Sequence, residues 1–250
     1  MNWDRGIFGE GTAEAVWEYW LQPRKKTHAL EDWLPRTARL VVVAPHPDDE
    51  VLACGGLIAT HREHGGDIAV VAVTDGEASH AGSTLWEPQA LAVTRRSESI
   101  AGLHKLGVSE SSVKRLAIPD GKVAQYTFHL ARQLKLLLRP SDLVLTTWRF
   151  DGHPDHDATA RAASLACSLV GCKLIEAPVW MWHWASPGDP DVPWHHLYCL
   201  SLAASARERK KEALAAHVSQ LNASNRVEGA VLGENILARA NRAEEYFFAT

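Results

Sequence analysis

Cysteine is scarce: the chain has four in 250 residues, and Cys54, Cys167, Cys172 and Cys199 form no C-x-x-C pair. They sit within apolar stretches, which excludes a disulfide scaffold or a thiolate-held metal and suits small reduced core residues. Positive charge is not in excess either, with 26 Lys and Arg against 30 Asp and Glu and a formal net charge of -4. Such a balance supplies no field to hold a polyanion, so nucleic acid is excluded as a partner. No uninterrupted apolar span is long enough to cross a bilayer. The first twenty residues mix charges with Gly and Trp, unlike the apolar core of a signal peptide. The expectation is a cytoplasmic protein with no membrane partner. No G-x-G-x-x-G follows the first apolar run, and no internal repeat or low-complexity tract is present.

What is there is 46% hydrophobic residues, enough for one sizeable core. Residues 1–36 read as an arm, with an amphipathic helix near Thr12 to Leu21 and a basic turn. Beyond it, apolar runs alternate with segments of helical spacing. Strands are expected at Ala38–Ala44, Ile68–Thr74, Val113–Ile118 and Leu143–Thr147, and helices at Val51–His64, Leu91–Leu106, Val123–Leu138 and Ala158–Val170. The Trp-rich region Lys173–Leu202 reads as strand-like, Ala203–Gln220 as helical and Glu245–Phe248 as a last strand. This alternation predicts a single α/β domain over 1–250, a Rossmann-like and mostly parallel β-sheet with helices on both faces. Loops after the strands then share one edge, where functional residues gather.

Two of those loops carry unusual chemistry. Pro45-His46-Pro47-Asp48-Asp49-Glu50 follows the first strand, and Asp151-Gly152-His153-Pro154-Asp155-His156-Asp157 follows the fourth. Acidic residues favour the first turn of a helix, which accounts for Glu50. It accounts neither for His46 nor for two prolines that stiffen the loop. Imidazoles and carboxylates are the ligands that zinc and hard divalent ions take. If the loops face one another they supply His46, Asp49 and His156, which leaves a zinc position open for water. A structural zinc would fill four positions, mostly with cysteine, and no cysteine lies in either loop.

His-Pro-Asp-Asp-Glu after a buried strand, with a distal His-Pro-Asp-His, resembles the PIG-L/LmbE family of zinc-dependent N-acetylglucosamine deacetylases. The resemblance runs from about Leu40 to the C-terminus. It implies zinc on His46, Asp49 and His156, with Asp48 as general base, His153 stabilising the oxyanion and Asp155 orienting it. It implies further that Arg95 contacts the sugar, that Asp120 receives a sugar hydroxyl, and that Glu77 in Thr74-Asp75-Gly76-Glu77 belongs to the substrate site. Lys211 and His217-Val218-Ser219-Gln220 resemble a recurrent C-terminal helix of the family. Some members have a tyrosine just before Gly-His-Pro-Asp-His, where this chain has Asp151. The implied substrate is a small N-acetylated sugar or glycoconjugate, and assembly into a homo-oligomer stays open. Trp180, Trp182, Trp184 and Trp194 suit either sugar stacking or a strand with one buried face. His61, His64, His195 and His196 have no third ligand nearby in sequence.

Three rivals remain at this level. One is another metal-dependent amidohydrolase or esterase. A second is a two-metal phosphoesterase, which needs more bridging carboxylates than are found. The third is a non-catalytic nucleotide-fold binding protein with Asp75 or Glu77 on a ribose, for which the first loop is wrong.

Overall fold

A computed structural model describes residues 5–7, 9–27, 32, 34–222 and 230–249. The expected arm is therefore seen in part, and its residues 1–4, 8, 28–31 and 33 lie outside the described residues.

The sheet has seven strands: β1 (Arg39–Ala44), β2 (Asp67–Ala72), β3 (Val113–Arg115), β4 (Leu143–Thr147), β5 (Lys173–Ala177), β6 (Leu197–Ser201) and β7 (Glu244–Ala249). Their spatial order is β3-β2-β1-β4-β5-β7-β6. The first five are parallel, while β7 runs antiparallel between β5 and β6. β1 and β4 are near-continuous Val, Leu and Thr because a parallel strand is covered on both faces. Leu40 and Val42 point to one core, with Leu57, Ile58, Leu103 and Phe247. Val41 and Val43 point to the other, with Leu130, Leu134, Ala162 and Ala166.

On the first face lie α2 (Asp49–Glu63), α3 (Pro88–Lys105) and α7 (Ala204–Ala215). On the second lie α4 (Thr127–Leu137) and α5 (Pro154–Val170). α1 (Glu14–Leu21) packs beside the antiparallel edge in a third, aromatic cluster, with Trp17, Trp148, Trp182, Tyr246 and Phe248. Trp17 meets the Trp182 ring edge-on at 5.1 Å and donates from Nε1 to Trp182 O.

The chain leaves β1 toward β2 on one side and later returns as β4 on the other. A crevice therefore opens beyond the carboxyl ends of β1 and β4, the topological switch point of such a sheet. Both acidic loops sit there.

Three elements differ from expectation. Met181–Trp184 is a short helix, α6, rather than a strand, because Trp184 N and Ala185 N close helical turns on Trp180 O and Met181 O. Trp182 and Trp194 are spent on the aromatic cluster. The helix expected over Ala203–Gln220 breaks at His217 (ψ 56), so that α8 (Val218–Leu221) starts afresh and delivers Ser219 to Glu98. The expected strand Val113–Ile118 stops at Arg115, since Ala117 takes a positive φ of 52° that turns the chain toward Asp120. Among the described residues, no helix is long and apolar enough to cross a membrane, and all four cysteines are free.

Candidate active site and metal centre

The loop after β1 is fixed by its neighbours before any ligand is considered. Thr74, just past β2, donates its N–H (3.0 Å) and Oγ1 (2.8 Å) to Pro45 O. Asp48 then adopts φ 134°, a conformation few non-glycine residues tolerate and one that persists only where the surroundings impose it. The surroundings do so here. Glu50 Oε2 accepts Asp48 N–H (3.1 Å), and Ser99 Oγ donates to Glu50 Oε1 (2.6 Å). Arg95 Nη2 donates to Pro47 O (2.7 Å) and Asp48 Oδ2 (3.0 Å), while its Nη1 donates to Gly76 O (2.9 Å). Gly76 is needed at that point: it has φ +71°, and a Cβ there would lie 2.1 Å from Arg95 Nη1.

Beyond Asp48, α2 begins with Asp49. Its Oδ2 accepts His46 N–H (3.0 Å) and stands 3.2 Å from both His46 Nδ1 and His156 Nε2. His156 comes from the first turn of α5, across the crevice. Its Nδ1 donates to Asp151 Oδ2 (2.8 Å), so the lone pair falls on Nε2 once the ring gives up its second proton. That Nε2 is fully buried and, despite its distance to Asp49, has no hydrogen-bond partner. A buried orphan nitrogen facing a carboxylate oxygen is the polar vacancy that a cation fills. His46, His153 and His156 each bring a ring nitrogen within 4.8 Å of the others. His153 is the weaker third ligand, because its Nδ1 accepts the Asp155 N–H (3.2 Å) as the N-cap of α5. The three imidazoles, with the Asp49 carboxylate between His46 and His156, offer the donor chemistry that a divalent ion takes.

Charge supports the same arrangement. Burial alone would lower the pKa of His46, but Asp120, Asp155 and Asp49 together raise it well above its ordinary value. His156 is likewise opposed by burial yet pushed up to about 9 by Asp49 and Asp151. Asp49 is driven far down, His156 and His46 overcoming its burial. These carboxylates hold positive charge at the imidazoles, the site a cation would take. His153 behaves oppositely: burial, then His156 and His46, lower it to about 3. Asp48 is raised to about 7 by burial, against the pull of Arg95 and with a further push from Asp49.

The residues expected in catalytic and substrate roles all lie at this edge, but the contacts of two, Asp155 and Arg95, differ from expectation. Asp155, which the resemblance implies orients His153, has its carboxylate turned to other partners. That carboxylate instead accepts N–H groups from Gly121 (2.7 Å) and Val123 (3.1 Å) and approaches His46 Nε2 (3.3 Å), so only its backbone N–H reaches His153. Burial among positive neighbours disfavours the charged form of His153. Arg95, expected on the sugar, is 2% exposed, with its guanidinium spent on Asp48 and two carbonyls. Glu98, three residues on along α3, accepts from the N–H and Oγ of Ser219.

Asp120 Oδ1 lies 3.1 Å from His46 Nε2 while its Oδ2 accepts Ala78 N–H (2.8 Å). His46 outweighs burial and lowers its pKa to about 2. Glu77 Oε1 accepts Asp120 N–H (2.9 Å), so it supports Asp120.

Asp151 stands where some members of the resembled family have a tyrosine, a departure to which the sequence alone assigns no role. It is fully buried, binds His156 Nδ1, and gathers the N–H groups of Val179, Trp180 and Met181, each at 2.9 Å. The signal was present: an aspartate one helical turn ahead of a ligand histidine, beside a glycine that lets the chain turn.

Comparison with known proteins gives a consistent picture. The PIG-L family model, GlcNAc-PI de-N-acetylase, matches residues 41–167. A 1D-myo-inositol 2-acetamido-2-deoxy-alpha-D-glucopyranoside deacetylase of Mycolicibacterium gilvum is 30% identical over 183 residues, which is 61% of this chain and 61% of that protein. The chain thus spans about three fifths of that curated relative. Two solved structures share the fold. The deacetylase of the antimicrobial A40926 pseudoaglycone has a TM-score of 0.65 at 24% identity, covering 85% of this chain and 96% of its own. The N,N'-diacetylchitobiose deacetylase of Pyrococcus horikoshii has a TM-score of 0.58 at 19% identity, covering 83% and 79%.

Proposed function

The chain belongs to the PIG-L family, whose model matches half of it, and from that premise we propose that it is a zinc-dependent hydrolase removing the acetyl group from an N-acetylglucosamine-type sugar or conjugate. One observation carries the reading. Asp49 Oδ2 stands 3.2 Å from ring nitrogens of both His46 and His156, and one of those nitrogens is buried without a partner.

An acetamide is a poor electrophile with a poor leaving group, so its hydrolysis needs an activated water, a stabilised oxyanion and a proton for nitrogen. A zinc ion on His46, Asp49 and His156 would lower the pKa of water and polarise an acyl oxygen. The chain's own groups complete the set. Asp48, with a pKa near 7, accepts a proton from the attacking water and is a strong enough acid to return it to the leaving amine. Arg95 fixes that carboxylate and the strained backbone beneath it. His153, neutral and with Nδ1 occupied as an acceptor, presents an Nε2–H donor to the developing oxyanion. Asp155 anchors the Gly121–Val123 turn, and Asp120 on that turn faces the site beside His46, where a sugar hydroxyl can reach it.

The rivals lack support in the geometry. A second trio, His46, Asp120 and Asp155, shares His46 with the first and so makes no separate second metal site among the described residues. Asp75 is committed to Arg96 and Arg115 rather than offered to a ribose. Free thiols on all four cysteines fit the expected cytoplasmic location.

The test is a panel of N-acetylated sugars and glycoconjugates assayed for acetate and free amine. Equal release of both, abolished by chelation and restored by zinc, supports the reading. Turnover that survives complete metal removal would overturn it.

A further inference from the structure

α2 is two helices, not one. Cys54 has φ -153° and ψ 23°, so the helical path that starts at Asp49 is interrupted after little more than one turn and resumes beyond it. Such a break strands carbonyls on one side and N–H groups on the other, in a helix most of whose residues are buried. Two side chains from distant elements answer both. Glu245 of β7 accepts Gly56 N–H (2.7 Å) on Oε1 and Leu57 N–H (2.8 Å) on Oε2, capping the resumed helix. Lys210 of α7 donates to Leu52 O (3.2 Å), at the end of the first turn, and to Glu245 Oε1 (2.7 Å).

Glu245 and Lys210 are 4% exposed each, and Gly55 leaves the lysine room: a Cβ there would sit 3.0 Å from Lys210 Cγ. The carboxylate also faces the positive end of the resumed helix. Lys211, expected on a helix, lies on α7, and its neighbour Lys210 is the buried lysine of that helix.

We propose that Glu245, together with Lys210, is a positioning residue for the metal ligand Asp49: by holding the break in α2 it sets the direction of the first turn. Without the cap, α2 relaxes toward a continuous helix and Asp49 Oδ2 leaves the point it shares with His46 and His156. This rests on the reading of Asp49 as a ligand. It assigns a function to a buried ion pair that takes no part in the chemistry.

The experiment compares Glu245→Gln with Asp142→Asn, which disturbs a second ion pair with a buried carboxylate, Arg39–Asp142, at the far end of β1. Zinc affinity is read by chelator competition, melting temperature on metal-free protein, and amide hydrogen exchange over residues 51–57. Glu245→Gln should lose exchange protection at Gly56 and Leu57 and weaken zinc about tenfold or more, the scale seen for groups that orient ligands. Asp142→Asn should lower the melting temperature and leave zinc affinity unchanged. Adding Lys210→Met to Glu245→Gln removes the uncompensated cation, so it should recover melting temperature but not affinity. Zinc affinity in Glu245→Gln within about threefold of wild type, or equal weakening in Asp142→Asn, would overturn the proposal. Failure of the underlying reading shows separately, as a wild-type protein that takes up no zinc or releases no acetate.

Discussion

Asp151→Asn exchanges one carboxylate oxygen for an NH2 group and should separate a ligand from the group that makes it one. In the native site the Asp151 carboxylate is surrounded by donors: His156 Nδ1–H and Trp180 N–H on Oδ2, and Val179 and Met181 N–H on Oδ1. An asparagine amide offers one acceptor oxygen and one donating NH2 group. Whichever way it is turned, two native donors meet an NH2. With the oxygen kept toward Val179 and Met181, the NH2 faces His156, and the ring must turn its lone pair to Nδ1 and carry the proton on Nε2.

A ring protonated on Nε2 cannot bind metal at the position facing Asp49. Zinc affinity should therefore fall about ten- to a hundredfold, the usual consequence of losing such an orienting carboxylate. The orphaned Trp180 N–H should cost about 1–3 kcal/mol of stability, visible as a lower melting temperature of metal-free protein. The assay is zinc competition against a chromophoric chelator, with the melt as companion. Wild-type zinc affinity in a folded Asp151→Asn protein would refute the argument.

Asp48→Asn should keep zinc while turnover falls by about two to four orders of magnitude, the usual worth of a general base, whereas His153→Ala should keep zinc and lose turnover through the oxyanion. Arg95→Met removes the cation that pulls the Asp48 pKa down, so the acid limb of the rate profile should move up by about one pH unit or more; an unmoved limb assigns it to another group. Zinc must displace protons from His46 and His156, both raised above their ordinary values, the latter to about 9. Apparent affinity should thus rise with pH across the neutral range, with about two protons released per zinc near pH 7, measured by calorimetry in buffers of different ionisation enthalpy. Binding that ignores pH between 6 and 8, as about zero protons released, would contradict the ligand set.

The parallel core was legible in the sequence because both-face burial leaves unbroken apolar runs such as Leu40–Ala44 and Leu143–Thr147, and strand–helix alternation then dictates the crossovers. Convergence of His46, Asp49 and His156 followed from placing both loops at one sheet edge. What escaped was set by contacts between residues far apart in the chain. Trp180, Trp182 and Trp184 alternate like a strand, yet the pull of Asp151 on three successive N–H groups coils them into a turn of helix. Arg95 looks like a surface residue from its helix spacing, and only the strained Asp48 turn across the crevice explains its burial. The break in α2 is invisible in a sequence whose spacing is helical throughout, because its caps come from Lys210 and Glu245.

The most direct test of the metal centre titrates zinc into metal-free protein while acetate release from an accepted N-acetylated sugar and bound zinc are measured on the same samples. The structure predicts that both rise together and saturate at about one zinc per chain, the content of a single open three-ligand site, and that His156→Ala loses both together. Full acetate release from zinc-free protein, or from His156→Ala, would contradict it.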